Sequence, residues 1–139
     1  MLYVMLQMLC LGLLLLTGPL IPAGRGPALL AMGGVLLGVW AILVMRPSNV
    51  SVLPELRPTA RLVLRGPYRF VRHPMYTALL LFTGALLIDA FSPVRLLIWL
   101  ILLTVLIRKL SYEEQLLMAR FPDYAAYRRR SARLLPYIY

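Results

Sequence analysis

The chain has 139 residues, 61% of them hydrophobic, and a mean hydropathy of +0.81, which leaves room for one domain (1–139) and too much apolar surface for water to be its only solvent. Its net charge of +10 rests on arginines that flank apolar runs, the pattern of topology signals and headgroup contacts, and this excludes nucleic acid as the expected partner. A lone cysteine, Cys10, excludes a disulfide framework and a cysteine-based metal centre; no metal is expected.

Four apolar runs predict an all-α integral membrane protein of four transmembrane helices, with a cytosolic interfacial loop and a C-terminal helical extension. The first span is expected over about 2–20. No basic segment precedes it and the residues before Cys10 are bulky, so it reads as a permanent span and not a cleaved signal. The second, 28–45, is just long enough to approach a hydrocarbon core of about 30 Å. These two are expected to form a hairpin, with Gly33, Gly34 and Gly38 and, opposite, Gly12 as close helix contacts.

Residues 46–74 carry Arg46, Arg57, Arg61, Arg65, Arg69 and Arg72 with Pro47, Pro54, Pro58 and Pro67, which excludes a span and predicts a structured interfacial loop. The third span is expected over 75–90 and the fourth over 93–108, joined by a tight turn with Pro93 starting the next helix. From Arg108 to Arg120 there is no Pro or Gly, so the fourth helix should run on past the membrane. Glu113 then lies about 30 Å from Pro93, at the interface where the loop must also lie.

Arg25 and Arg95 fall in the two short turns on one face, whereas six basic residues lie in the loop and seven from Arg108 onward. The positive-inside rule therefore places the loop and both termini in the cytoplasm, in the inner membrane if the source is bacterial.

Two clusters carry chemistry: Gly66-Pro67-Tyr68-Arg69-Phe70-Val71-Arg72-His73-Pro74-Met75-Tyr76, and Glu113-Glu114 followed by Phe121, Tyr124, Tyr127 and Arg128 to Arg130. Pro74 suits the first turn of a helix, which puts His73 at the cap and Tyr76 one turn inside. An imidazole, a phenol and free backbone N–H groups would then converge to hold a polar cofactor. The plainer reading has His73 capping the helix, the tyrosines in an aromatic belt, and the glutamates paired with Arg108, Lys109 or Arg120 on a solvated face.

The stretch 66–76, the glutamate pair with Phe121 seven residues later, and the ending Tyr124-x-x-Tyr127-x-x-Arg130 with Pro136 and Ile138 resemble the isoprenylcysteine carboxyl methyltransferase family and its phospholipid methyltransferase relatives. The likeness covers about 62–139. It implies a membrane methyltransferase using S-adenosylmethionine, with cofactor contacts from Tyr68, Val71, Arg72, His73, Pro74, Tyr76, Glu113, Glu114 and Tyr127. It further implies that Glu114 and Arg130 stand closest to the chemistry, Arg130 orienting an anionic acceptor. Partners would be the lipid bilayer and a lipophilic or small thiol, carboxylate or amine acceptor. Thr77-Ala78 stands where the family often has glycine, the Phe-to-Tyr spacing at Phe121-Pro122-Asp123-Tyr124 is one residue short, and Ser131-Ala132 replaces Val-Pro. An NADPH-dependent reductase of sterol-reductase type, sharing the Arg-His-Pro-x-Tyr segment, and a non-catalytic membrane protein are the alternatives.

Overall fold

A computed structural model describes residues 2–45 and 62–136, and the regular elements among them are all helical. The expectations about Arg46, Arg57, Arg61, Pro47, Pro54, Pro58 and Ile138 lie outside the described residues.

Helix α1, Leu2–Leu16, stops short of residue 20. The Thr17 hydroxyl donates back to the Leu13 carbonyl at 2.6 Å, and Pro19 disfavours helical backbone at Gly18 before it. Helix α2, Arg25–Met45, starts three residues earlier than expected because Pro27 falls within its first turn, where a missing N–H costs nothing. A short 3-10 turn, Gly66–Arg69, leads into α3, Pro74–Asp89. Helix α4, Pro93–Arg120, is one continuous element of 28 residues, and the predicted extension beyond residue 108 is part of it. Ser92 caps it by accepting from the Arg95 amide at 3.2 Å. The last helix, α5, covers Tyr124–Arg130.

Among the described residues, one helix, α2, is both long and apolar enough to cross a membrane. The expected four spans are not reproduced by that criterion, for two physical reasons. Helices α1 and α3 are apolar but only 15 and 16 residues long. Helix α4 has the length, but its apolar stretch is bracketed by Arg95 at one end and Arg108 and Lys109 at the other.

The pairing of helices also departs from the expected hairpin. α2 lies along α3, and α1 lies along α4. At Gly34 the two backbones come so close that a Cβ would stand 2.9 Å from the Ala78 carbonyl oxygen and 2.9 Å from the Phe82 nitrogen. Gly38 faces the Ala78 methyl, whereas Gly12 and Gly33 face open space, so only two of the four glycines mark a close contact. Gly34→Val is therefore expected to lower stability by about 1–3 kcal/mol through forced separation of α2 and α3. Gly33→Ala should change it by less than about 0.5 kcal/mol. Thermal unfolding in detergent compares the two, and equal melting temperatures would remove the close-packing account.

Between α1 and α4 sits a core of Cys10, Leu14, Ile98, Leu102 and Leu106. Arg95, counted from sequence as a basic residue of a short turn, is buried at 2% exposure in the first turn of α4. Its guanidinium donates to Leu86 O at 3.0 Å, a carbonyl that also accepts from the Ala90 amide, and to Leu14 O at 3.4 Å, and so ties together the ends of α1 and α3. Asp89 accepts from the Ala23 and Gly24 amides and fastens the α1–α2 turn to the end of α3. The end of the molecule with these turns is thus tied down, and the chemistry-bearing residues gather at the other.

Candidate active site

The approach to α3 is organised by the C-terminal tail. Gly66 takes φ +61°, a left-handed conformation that suits glycine, and lets the chain turn into the buried Pro67 and Tyr68. Val71 then forms a parallel bridge with Ala132. Arg72 N donates to Ala132 O at 2.8 Å, His73 N to Arg133 O at 3.1 Å, and Ala132 N to Phe70 O at 3.0 Å. The amides of Arg72 and His73 are therefore spent on the tail. Thr77 completes the attachment through its hydroxyl, which donates to Leu134 O at 2.6 Å. This gives a structural reason for threonine at this position.

His73 occupies the N-cap position of α3 and Pro74 its first turn, yet the imidazole makes no capping bond. It turns to the glutamate pair: Nδ1 lies 3.8 Å from Glu113 Oε2, and Nε2 lies 3.4 Å from Glu114 Oε1. The two sequence clusters, 37 to 42 residues apart, meet here.

The two glutamates are in different situations. Glu114 is 2% exposed, and both its oxygens are engaged: Oε1 by Arg72 Nε at 2.7 Å, Oε2 by Arg133 Nη2 at 2.9 Å and Nε at 3.1 Å. Burial pushes its carboxyl up, but the contacts of His73, Arg72 and Arg133 outweigh that and hold it well below the usual carboxylate range. Arg72 also donates to the carbonyls of Arg128 and Ser131, so one guanidinium joins the carboxylate to the end of α5. Glu113 keeps 18% of its side chain exposed, and one oxygen, Oε1, accepts from the Tyr76 hydroxyl at 2.5 Å. Its other oxygen, Oε2, lies 3.8 Å from His73 Nδ1.

Tyr76 stacks against His73, with ring centroids 5.6 Å apart and planes 13° from parallel. The ammonium of Lys109 lies 5.2 Å from the centroid of the same ring. The phenol is thus positioned as a donor to Glu113, with its face already in use. Tyr127 donates to Tyr68 O at 2.5 Å, and Tyr124 is 1% exposed. Burial pushes the Tyr68 phenol up and that of Tyr127 up to about 12, so both remain protonated donors at neutral pH.

Of the residues singled out from sequence, Tyr68, Arg72, His73, Tyr76, Glu113, Glu114 and Tyr127 come together, while Val71 and Pro74 shape the backbone that carries them. Arg130 does not join them. It is exposed on α5, and the guanidinium that completes the cluster belongs to Arg133. Sequence reasoning missed Arg133 because it sits in a basic tail with no periodicity to rank its members. It missed Lys109 because that residue reads as an ordinary charge at a membrane boundary.

A helical protein with exposed apolar flanks and a carboxylate–histidine–tyrosine cluster at the end of its helices has the make-up of a membrane group-transfer enzyme. The family model for phospholipid methyltransferase matches residues 25–123, and the chain belongs to that family, within the isoprenylcysteine carboxyl methyltransferase-like group of membrane methyltransferases. It is accordingly an S-adenosylmethionine-dependent methyltransferase, and the family acts on membrane-associated substrates. No curated protein and no solved structure matches the chain. Membership sets aside the reductase alternative.

Proposed function

We propose that S-adenosylmethionine is held at the cytosolic boundary against His73, Tyr68 and Glu113, and that a lipophilic acceptor meets its methyl group from the bilayer side. The observation that carries this reading is a set of buried polar atoms that make no hydrogen bond among the described residues: Tyr68 OH, Tyr124 OH and His73 Nε2, the last standing 3.4 Å from Glu114 Oε1. Such atoms are costly unless a bound group satisfies them. Two of the three, with the half-committed Glu113, suit a cofactor that carries an ammonium, a carboxylate and hydroxyls.

The cofactor supplies a methyl group on a positively charged sulfur, which becomes neutral on transfer. Glu113 Oε2 would take the ammonium or a ribose hydroxyl, and Tyr68 OH would donate to a carboxylate or ring nitrogen. Glu114 acts by holding Arg72, Arg133 and His73 in place, which fixes the reacting geometry and closes the site to water. An amine or thiol acceptor must lose a proton, and Glu113 with His73 is the nearest base pair to receive it. Arg130, exposed beside the site, would meet the anionic part of an acceptor or headgroup.

In this reading all four long helices are embedded. Leu9, Leu16, Leu29, Leu36, Leu43 and Leu97 are large apolar side chains that α1, α2 and α4 leave uncovered, as a lipid-facing surface requires. Both termini face the cytoplasm, by the distribution of basic residues.

Calorimetry on the detergent-purified protein should show saturable binding of S-adenosylmethionine. Transfer of a radiolabelled methyl group should occur to extracted membrane lipid, with prenylcysteines and small thiols as competitors. A folded protein that binds no cofactor would refute the assignment.

A further inference from the structure

Helix α1 lies outside the matched family region, yet it sends a polar side chain toward the site. Gln7 and Lys109 are 9% and 3% exposed, and Lys109 Nζ donates to Gln7 Oε1 at 3.2 Å. Around this pair α4 buries Leu102, Leu106 and Leu110, and Glu113, one turn on, is a carboxylate whose charge acts on the ammonium. An ammonium in such surroundings lowers stability relative to a well-packed apolar side chain, so its presence needs a reason other than packing. The next contact supplies one. The same ammonium stands 5.2 Å from the Tyr76 ring centroid, and Tyr76 donates to Glu113, which lies one helical turn beyond Lys109 on α4.

We infer that Gln7 and Lys109 are positioning residues for methyl transfer: α1 holds the lysine, the lysine fixes and polarises the Tyr76 phenol, and the phenol orients Glu113. A cation against a ring withdraws electron density from it and makes the hydroxyl a stronger donor. That sharpens the direction in which the second oxygen of Glu113 is presented. The consequence is that α1 is part of the active site although it contributes no residue that would touch the cofactor.

The inference rests on the cofactor assignment above for its kinetic readout, and on Tyr76 itself for an independent one. Lys109→Met keeps length and apolar packing and should remain folded, because the partly exposed Glu113 can turn its charge to water. It should bind S-adenosylmethionine about tenfold more weakly, the effect of losing a desolvated cation–ring contact. Lys109→Arg should restore most of the affinity, and Gln7→Leu should shift it in the same direction as Lys109→Met. Ultraviolet resonance Raman spectra, with Tyr76→Phe identifying the Tyr76 bands, should show weaker phenol donation in Lys109→Met. Unmoved Tyr76 bands overturn the inference whether or not cofactor binds. Wild-type protein that binds no cofactor, with Tyr76 bands that do move, overturns the cofactor assignment and leaves the Lys109–Tyr76 coupling standing. Weakened binding that arginine fails to rescue assigns Lys109 a packing role and also overturns it.

Discussion

Replacing Glu114 with glutamine is expected to detach the tail that closes the site. The amide can accept from one guanidinium but presents an N–H group to the other, so either Arg72 or Arg133 loses its contact with the side chain at 114. Removing one member of a buried ionic group costs about 3–5 kcal/mol. The lower end applies here, because the Arg133 side chain is 21% exposed and can turn to water. The loss should be local first: the Val71–Ala132 bridge and the Thr77–Leu134 bond have the Arg72–Glu114 pair beside them. Hydrogen exchange at Ala132 and proteolysis after Arg130 should both accelerate in the variant while α1 to α4 stay protected. Wild-type exchange rates at Ala132 in the variant would show that the ion group does not hold the tail.

The same group gives the protein an acid limit. In the folded chain the Glu114 carboxyl titrates below its ordinary value. A folded value below the unfolded one means that its stabilisation is complete above the ordinary glutamate value of about 4.3, and is lost as pH falls from there through the folded value. Tail protection should hold steady from about pH 8 to 5 and decline below about pH 4 in wild type. Glu114→Gln should lack that decline. Superimposable acid profiles would count against it.

Replacing Glu113 with alanine is expected to do the opposite: to leave the fold intact and disable the site. Glu113 is partly exposed, and its removal costs the Tyr76 hydroxyl its acceptor and takes a counter-charge from Lys109 and His73 without opening the core, so the melting temperature should fall little. Cofactor affinity should fall ten- to a hundredfold, about the value of a charge-assisted hydrogen bond. Methyl transfer at saturating acceptor should fall at least as far. Calorimetry in detergent measures the first and a radiolabel assay the second. Unimpaired binding by a folded Glu113→Ala would take Glu113 out of the site and leave the neighbouring Glu114 with a purely structural part. The adjacent pair, alike in sequence, thus separates into one acid that builds the site and one that would work in it.

Apolar runs, Pro74 and Pro93 as helix starters, and the unbroken stretch after Arg108 fixed the existence and order of the helices, because helix initiation and interruption are local events read over a few residues. The composition of the site was legible for the same reason: Tyr68, His73, Tyr76 and the glutamate pair fall in short segments whose chemistry is unusual beside an apolar run. What the chain could not reveal is which groups are paired. Helix α1 was expected beside α2 and lies against α4, since apolar faces of near-uniform character do not specify partners; the close approach at Gly34 does, and that depends on Ala78 and Phe82 across the gap. The pairing of Arg133 with Glu114, the sealed Glu114 beside the open Glu113, and the buried Lys109 were all decided by tertiary placement. A charge has no assigned role until its surroundings set whether water or another side chain answers it, and that is a property of the folded molecule alone.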